Sequence, residues 1–511
     1  MFRFLTILGV FAFLPVQAMA VEINDQGAQS LKKMVQGLLD YQKKTGEAFD
    51  SVVVEYDGEV VVEQMADYYA VTFPRILLKA PNELAQVNKE IYGGVVDVGV
   101  ISMSAVPDAK AGDWKTVIQF PESLTLIEGD KNAAVFKVNL GKQNTIGILN
   151  ENLGYFTKLN MNVSDITFDA NGEDVGFKLG GVQIYQNFNE VSDGYYSGPF
   201  KVSLGNVEIA PPEEAESVRF EEFKFEGDMD QIKLPRLVEY QEKVVRFAEA
   251  MSSVTNGGEE TPESQKEMIN ALTDFYDFDW NGFSAGYGLK NLSVKSLGND
   301  DEVRLGDASF GMAFSGLKSD AGVLDLTGDY NGLSIQSSDM EDIQDVIPTK
   351  AKIDIKLENL PYTSLSEMGK NSMSSIAANP EMAQMVGLGL MMKLPALLTQ
   401  SGVKATISEN GLSNSVYDFS MNGEAVADLK AMMGFTAKLK TVFEGLDVLI
   451  SVVEAKGEGA PRDLHEGLLK IKEIGTAESG PNGKPAYGYT FEVTPDGQTL
   501  INGQDAASVL K

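Results

Sequence analysis

The chain contains no cysteine and one histidine, His465. The first absence excludes a disulfide framework, a thiolate metal site and a lipid attached to a cysteine behind a leader. The second excludes the histidine clusters that catalytic zinc or non-haem iron needs, so no metal or other cofactor is expected. Basic residues are scarce: 42 Lys and Arg stand against 74 Asp and Glu, for a formal net charge of -32. A surface of that sign repels nucleic-acid phosphates and anionic headgroups, and no local basic patch interrupts it. Neither is an expected partner. Past the first twenty residues no apolar run is long and uninterrupted enough to cross a bilayer as a helix, so the mature chain is not expected to be an integral membrane protein.

Residues 1–20 have the form of a cleavable secretory signal. Arg3 supplies a positive start, Phe4 to Val16 an apolar stretch too short to span, and Ala18-Met19-Ala20 a small-residue triplet that fits a signal peptidase. Cleavage before Val21 and a periplasmic location follow as expectations. Hydrophobic content of 43% is that of a folded protein, so the acidity is a solvated skin over real cores, and 511 residues leave room for two or three domains.

A first helix is marked by Leu31, Met34, Val35, Leu38 and Leu39 at helical spacing, with Gly46 as its C-cap. The period then changes to two. Strands are expected over Ser51 to Val62, Val135 to Leu140, Ile166 to Phe168, Phe177 to Tyr185, Phe200 to Ile209 and Val218 to Phe225, punctuated by Gly, Asn and Asp. Leu237, Tyr240, Val244, Phe247 and Met251 then form a helical stripe closed by Asn256-Gly257-Gly258. Thr261-Pro262 opens a second helix with Met268, Leu272 and Phe275. Strands resume at Phe283 and continue over Tyr287 to Val294, Ala308 to Phe314, Val323 to Ile335 and Lys352 to Leu357. The expected fold is α+β: β-rich, repeated antiparallel strands in two lobes, joined by a helical hairpin and covered by helices. The corresponding domains are a leader (1–20), an N-terminal helix and β lobe (21–230), the hairpin (231–280) and a second β lobe (281–511).

A short pattern recurs in the strands: an apolar residue, any residue, Gly or Asn, then Leu or Val two before another apolar residue. It reads LGGVQI at Leu179, LGNVEI at Leu204, LKNLSV at Leu289, YNGLSI at Tyr330, LENLPY at Leu357 and FEGLDV at Phe443; FSGLKS at Phe314 fits all but its end. Starts at 179 and 204 and at 289 and 314 are each 25 apart. This reads as duplicated strand pairs with Gly or Asn marking a bulge or tight bend, or as the by-product of a Gly-rich β composition.

From Leu365 to Leu398 the chain gathers Met368, Met373, Met382, Met385, Met391 and Met392. Flexible thioethers fill irregular space and tolerate exchangeable contents. Met382, Met385, Leu388, Met391 and Met392 therefore line an adaptable ligand groove or form a core helix under a sheet. Lys393 and Pro395 interrupt the apolar run here.

Pro461, Leu464, Leu468 and Ile471 mark a short helix ended by Gly475. Tyr487, Tyr489, Phe491 and Val493 alternate into a Pro495-Asp496-Gly497 turn and a return at Leu500-Ile501. The repeated hexapeptides, the Asn359-Leu360-Pro361 entry to a helix, the Phe443 to Asp447 segment and the terminal hairpin resemble an uncharacterised family. Its members are secreted or inner-membrane-anchored Gram-negative proteins with AsmA-like β-rich repetition. The resemblance covers about the C-terminal half of the chain. It implies an envelope protein with lipid, or another envelope protein, as partner, and it carries no catalytic residues.

Three apparent catalytic motifs fail on context. Gly282-Phe283-Ser284-Ala285-Gly286, with Asp447 and His465 downstream, has the chain order of an α/β-hydrolase, but strand residues follow Ser284 where a helix is required. Ser30 to Lys33 and Lys44-Thr45-Gly46 echo penicillin-binding elements, yet both sit on one helix. Asp274, Asp277 and Asp279, and the loop Asp169 to Asp174, have no EF-hand spacing and read as turns before they read as metal sites. The expectation is a non-enzymatic periplasmic protein that binds an apolar ligand or lipid. Its rivals are a structural or assembly partner of envelope proteins and an exported serine hydrolase.

Overall fold

The computed structural model describes residues 23–48, 52–79, 94–128, 133–170, 176–210, 216–255, 266, 268–271, 273, 279–296, 301–337, 340, 343–379, 382–456, 462–480 and 483–509. Residues 1–20, expected to be the leader, and Val21, residues 256–265, where the helical hairpin is expected to turn, Asp274 and Asp277, and residues 171–175 of the expected Asp169 to Asp174 loop lie outside them. The fold is β-rich α+β, built from antiparallel ladders with helices against them. The chain divides into two compact units. The first comprises residues 1–212, 226–280 and 373–383; the second, 213–225, 281–372 and 384–511.

In the first unit the helix Asp25–Ala48 buries Leu31, Met34, Val35 and Leu39 against strand residues Tyr69, Val71, Met103 and Leu149. Tyr69 and Trp114 meet edge to face with ring centroids 5.7 Å apart. The Tyr69 hydroxyl also accepts from the backbone N–H of Asn24 and donates to its carbonyl, which fixes where the helix begins. The helix runs two residues past Gly46. That glycine is needed for proximity rather than for capping, since a Cβ there would collide with the Val52 carbonyl. The stretch Ser51 to Val62 is two strands, Val53–Asp57 and Val61–Gln64, which join different ladders. The long strand Tyr155–Asp169 pairs with Lys142–Asn150 on one side and Phe177–Asn187 on the other, while its last residues pair with Ala133–Asn139. The helix Leu237–Thr255, expected to link two lobes, groups with this unit. Its Tyr240 ring lies 6.5 Å from that of Tyr41 on the N-terminal helix.

The hexapeptides have a definite conformational meaning. Their third residue has positive φ at six of the seven sites: Asn206, Asn291, Gly316, Gly332, Asn359 and Gly445. Asn and Gly are the residues that enter the left-handed region at least cost. In Leu204 to Ile209 and Leu289 to Val294 the bend falls inside a strand, opposite Gly180 and Gly306, respectively. One left-handed residue resets the alternation, so apolar residues three apart face the same way: Leu204 and Val207 are both buried, as are Leu179 and Val182 opposite them. At Gly316, Gly332 and Gly445 the same signal ends a strand instead, while Asn359 bends the last residues of Lys350–Leu360, where pairing resumes at Leu360 opposite Gly322. Hence the expected strand Val323 to Ile335 is broken into Gly322–Asn331 and Ser334–Gln336, and Gly445 starts the helix Leu446–Ala455. Asp165, also left-handed, makes the same bend in the Val163 to Ile166 segment without matching the Gly/Asn pattern.

The second unit is an antiparallel ladder in the order Gly282–Ser296, Glu302–Ser315, Gly322–Asn331, Lys350–Leu360, Lys404–Ser413, Asp418–Ala427, Phe435–Glu444 and Pro485–Val493. The helices Leu446–Ala455 and Arg462–Ile474 close over its C-terminal strands. There Leu446, Leu449, Ile450, Val453 and Leu468 bury Phe443 and Tyr489. The helices Tyr362–Ala378 and Ala383–Ser401 are inserted between the fourth and fifth strands.

Candidate functional site

Directly paired residues in an antiparallel ladder project to the same face. Register therefore shows what each face of the second unit presents. One face carries Phe283 opposite Phe314, Ala285 opposite Met312, Tyr287 opposite Phe310 and Leu289 opposite Ala308. Past the Asn291 bend it continues with Leu292 opposite Leu305 and Val294 opposite Val303. The rows extend through Leu324, Leu326, Gly328 and Tyr330 to Leu357, Ile355, Ile353 and Ala351. Beyond the Glu409 irregularity they reach Ile407 and Leu412, then Gly423 and Phe419, then Leu439 and Phe443, then Phe491 and Tyr487. No charged side chain interrupts these rows. The other face is polar and laddered with ions, including Lys404 to Glu424 at 2.6 Å, Lys438 to Glu492 at 3.9 Å and Lys440 to Glu478 at 3.2 Å.

Cover over the apolar face is uneven. Phe443 and Tyr489 are buried beneath the two C-terminal helices, whereas from Phe283 to Leu412 none of the named face residues is fully buried. In the central row Tyr287 is 54% exposed, Phe310 55% and Ile353 51%. Gly328, between Phe310 and Ile353, leaves a dip in that row. At one edge Phe225 and Phe223 approach the Tyr287 ring, with centroids at 4.9 and 6.1 Å, and Phe283 stacks on Phe314 at 5.2 Å. The result is a strip of half-exposed aromatic and aliphatic side chains flanked by rows that are only partly buried.

The methionine segment forms the helix Ala383–Ser401, with Met382 immediately before it. The helix continues through Lys393 and Pro395, and no residue in it is buried. Met382, Met385, Leu388, Met391 and Met392 are all exposed, so the core alternative does not describe them; they form an apolar helix surface. Among the described residues no helix is long and apolar enough to cross a membrane.

Ser284 lies inside the strand Gly282–Ser296, opposite Ala313, with no strand-to-helix elbow around it. His465 is on the helix Arg462–Ile474, with Nε2 3.2 Å from Glu454 Oε1. That helix covers strands separated from the Ser284 strand by five others in the ladder. Asp447 is ion-paired to Lys472 at 2.7 Å and accepts from the Tyr487 hydroxyl. Lys472 holds its carboxyl below the usual carboxylate range, as an anion in a structural cluster. Ser30 Oγ donates to Glu151, a contact between the N-terminal helix and the turn after Lys142–Asn150. Asp279 accepts from the Tyr195 hydroxyl. Among the described residues no group of three or more His, Asp or Glu is arranged to hold a metal ion. A depression of about 380 Å³ in the first unit is lined by Lys44, Val238, Gln241, Glu242, Val245 and Arg246.

Comparison of the chain with protein-family models, curated proteins and solved structures returned no match.

The strip centred on Tyr287, Phe310 and Ile353 was missed by reading the sequence for clusters. Its signal was present as strict alternation: apolar at 283, 285, 287 and 289, and again at 308, 310, 312 and 314. Alternation alone marks a half-buried strand. Whether a face is covered is decided by elements distant in sequence.

Proposed function

We propose that the chain is a non-enzymatic periplasmic envelope protein that holds an apolar ligand of the acyl-chain kind against the uncovered strip of its second unit. One observation carries the reading: a charge-free apolar face, continuous across eight strands, is buried by helices at one side and left half-exposed at the other. Contiguous exposed apolar surface is costly in water and marks an interaction site. Flat aromatic and branched side chains around a glycine dip suit a flexible hydrocarbon better than a polar substrate, and no polar group inside the rows is set to orient chemistry.

The test is native isolation from the envelope fraction, followed by mass spectrometry of bound small molecules and titration of the emptied protein with a fluorescent fatty acid. Co-purified lipid and saturable probe binding are expected. A protein that carries nothing and binds no probe refutes the proposal.

A further inference from the structure

We infer that one end of the second unit's ladder docks onto a phospholipid bilayer surface through the helix Ala383–Ser401 and the turn joining the strands Asp418–Ala427 and Phe435–Glu444. This goes beyond the ligand reading and does not depend on it. Two segments separate in sequence present bare apolar side chains there. On the helix, Met391 is 74% and Met392 80% exposed, with Met385 and Leu388 also exposed; on the turn, Met432 is 82% exposed, with Leu429 and Met433 beside it. A helix apolar all round belongs inside a core or in lipid, and this one has no buried residue. It is not long and apolar enough to span, and a bilayer surface is where such a bare apolar helix can bury its side chains.

Register places the turn and the C-terminal end of the helix at the same end of the ladder. The helix feeds through Gly402 into Lys404, which pairs with Val426 and with Glu358. The Ala427 N–H donates to the Val403 carbonyl at 2.9 Å, and Ala427 pairs with Phe435 across the turn. The Met432 N–H is anchored to the Pro495 carbonyl at 2.8 Å, which holds the tip in a fixed conformation.

Charge identifies the occupant. In a chain of 74 acidic residues none falls between Glu381 and Glu409, while Lys393 and Lys404 do. Lys393 and Lys430 are exposed next to the apolar side chains, where long stems can reach headgroup phosphates while neighbours enter the acyl boundary. Asp428 is the one acid in the turn, and its carboxylate caps the turn by accepting from the Lys430 N–H. Lys404 is paired to Glu424 at 2.6 Å and Asp496 lies in the neighbouring turn beside Met432, so it is the acid-free helix with Lys393 that locally lessens the repulsion expected of a chain with net charge -32.

The experiment is co-sedimentation of the mature full-length chain with phosphatidylcholine vesicles. The parent is expected to sediment. Met391→Asp with Met392→Asp, and separately Met432→Asp with Met433→Asp, should each weaken partitioning about tenfold or more, since each pair moves two apolar side chains out of the acyl boundary. Both pairs should keep the parent's melting temperature and fatty-acid binding, because the residues replaced are exposed. Phe310→Asp should do the reverse, losing fatty acid and keeping vesicles. If an aspartate pair melts early, Met392→Gln and Met432→Gln replace it. Failure of the parent to sediment, unaltered sedimentation of the variants, a requirement for a second protein, or loss of fatty-acid binding together with vesicle binding would each overturn the inference.

Discussion

Phe310→Asp tests the apolar strip at its centre. Phe310 faces Tyr287 across the ladder, with Gly328 on its other side, and is 55% exposed. A phenylalanine side chain offers roughly 200 Å², so about 110 Å² is open to a ligand. At about 25 cal/mol per Å², complete cover by a hydrocarbon chain contributes about 2.7 kcal/mol, and half cover about 1.4 kcal/mol. Removing it should weaken binding roughly ten- to a hundredfold, and a carboxylate within the strip adds to the loss. Because more than half of the side chain is already in water, the fold should survive with a cost of about 1–2 kcal/mol from lost cross-strand packing and poorer strand propensity. Phe310→Leu keeps the strip apolar and should bind within a few-fold of the parent. The assay is fluorescent fatty-acid titration beside urea denaturation of the same preparations. Parent-like binding by a folded Phe310→Asp protein would refute the strip as the ligand surface.

Asp418 stands directly opposite Glu444 in the ladder. Burial first, and Glu444 second, push its carboxyl up, against the pull of Lys484. A raised folded-state value means stability that is fully present below the ordinary value of 3.8 and lost as pH rises through the folded value. Asp418→Asn should therefore raise the melting temperature at pH 7 and lose that advantage in acid; equal melting of the two proteins at pH 7 would count against it. At the Asn291 bend, Asn291→Gly should be close to neutral, while Asn291→Val should cost about 2 kcal/mol in urea denaturation, because a β-branched residue is strained at positive φ. Ser284 should not react with a fluorophosphonate probe, and labelling there would revive the hydrolase alternative. N-terminal sequencing of protein from the envelope should begin at Val21; intact Met1 in membranes would contradict export with cleavage.

The parts of the fold legible in the sequence are those fixed by neighbours along the chain. Leu31, Met34, Val35 and Leu39 announce their helix because one amphipathic face needs only its own spacing to be seen. The Gly and Asn of the hexapeptides announce positive φ for the same local reason. The sequence could not say whether the signal bends a strand, as at Asn291, or ends it, as at Gly445, because that depends on the partner. Asn291 has Gly306 across from it and its strand continues to Ser296; past Gly445 the chain enters the helix Leu446–Ala455, whose Leu446 is buried with Phe443.

The candidate surfaces were half legible for a related reason. Methionine crowding identified the helix Ala383–Ser401 as unusual, but composition is the same for a helix that is covered and one that is bare, and only the packing separates them. The Tyr287, Phe310 and Ile353 row gave the weaker signal, because alternation marks many ordinary strands. What distinguishes this row is that the helices closing the face arise after Glu444 and reach only the C-terminal strands. The strands that carry Tyr287, Phe310 and Ile353 lie three to six positions away from Phe435–Glu444 in the ladder and keep an unclosed apolar face. A sheet of this width exposes part of any face that two short helices cover, so the placement of Leu446–Ala455 and Arg462–Ile474 decides where a ligand can lie.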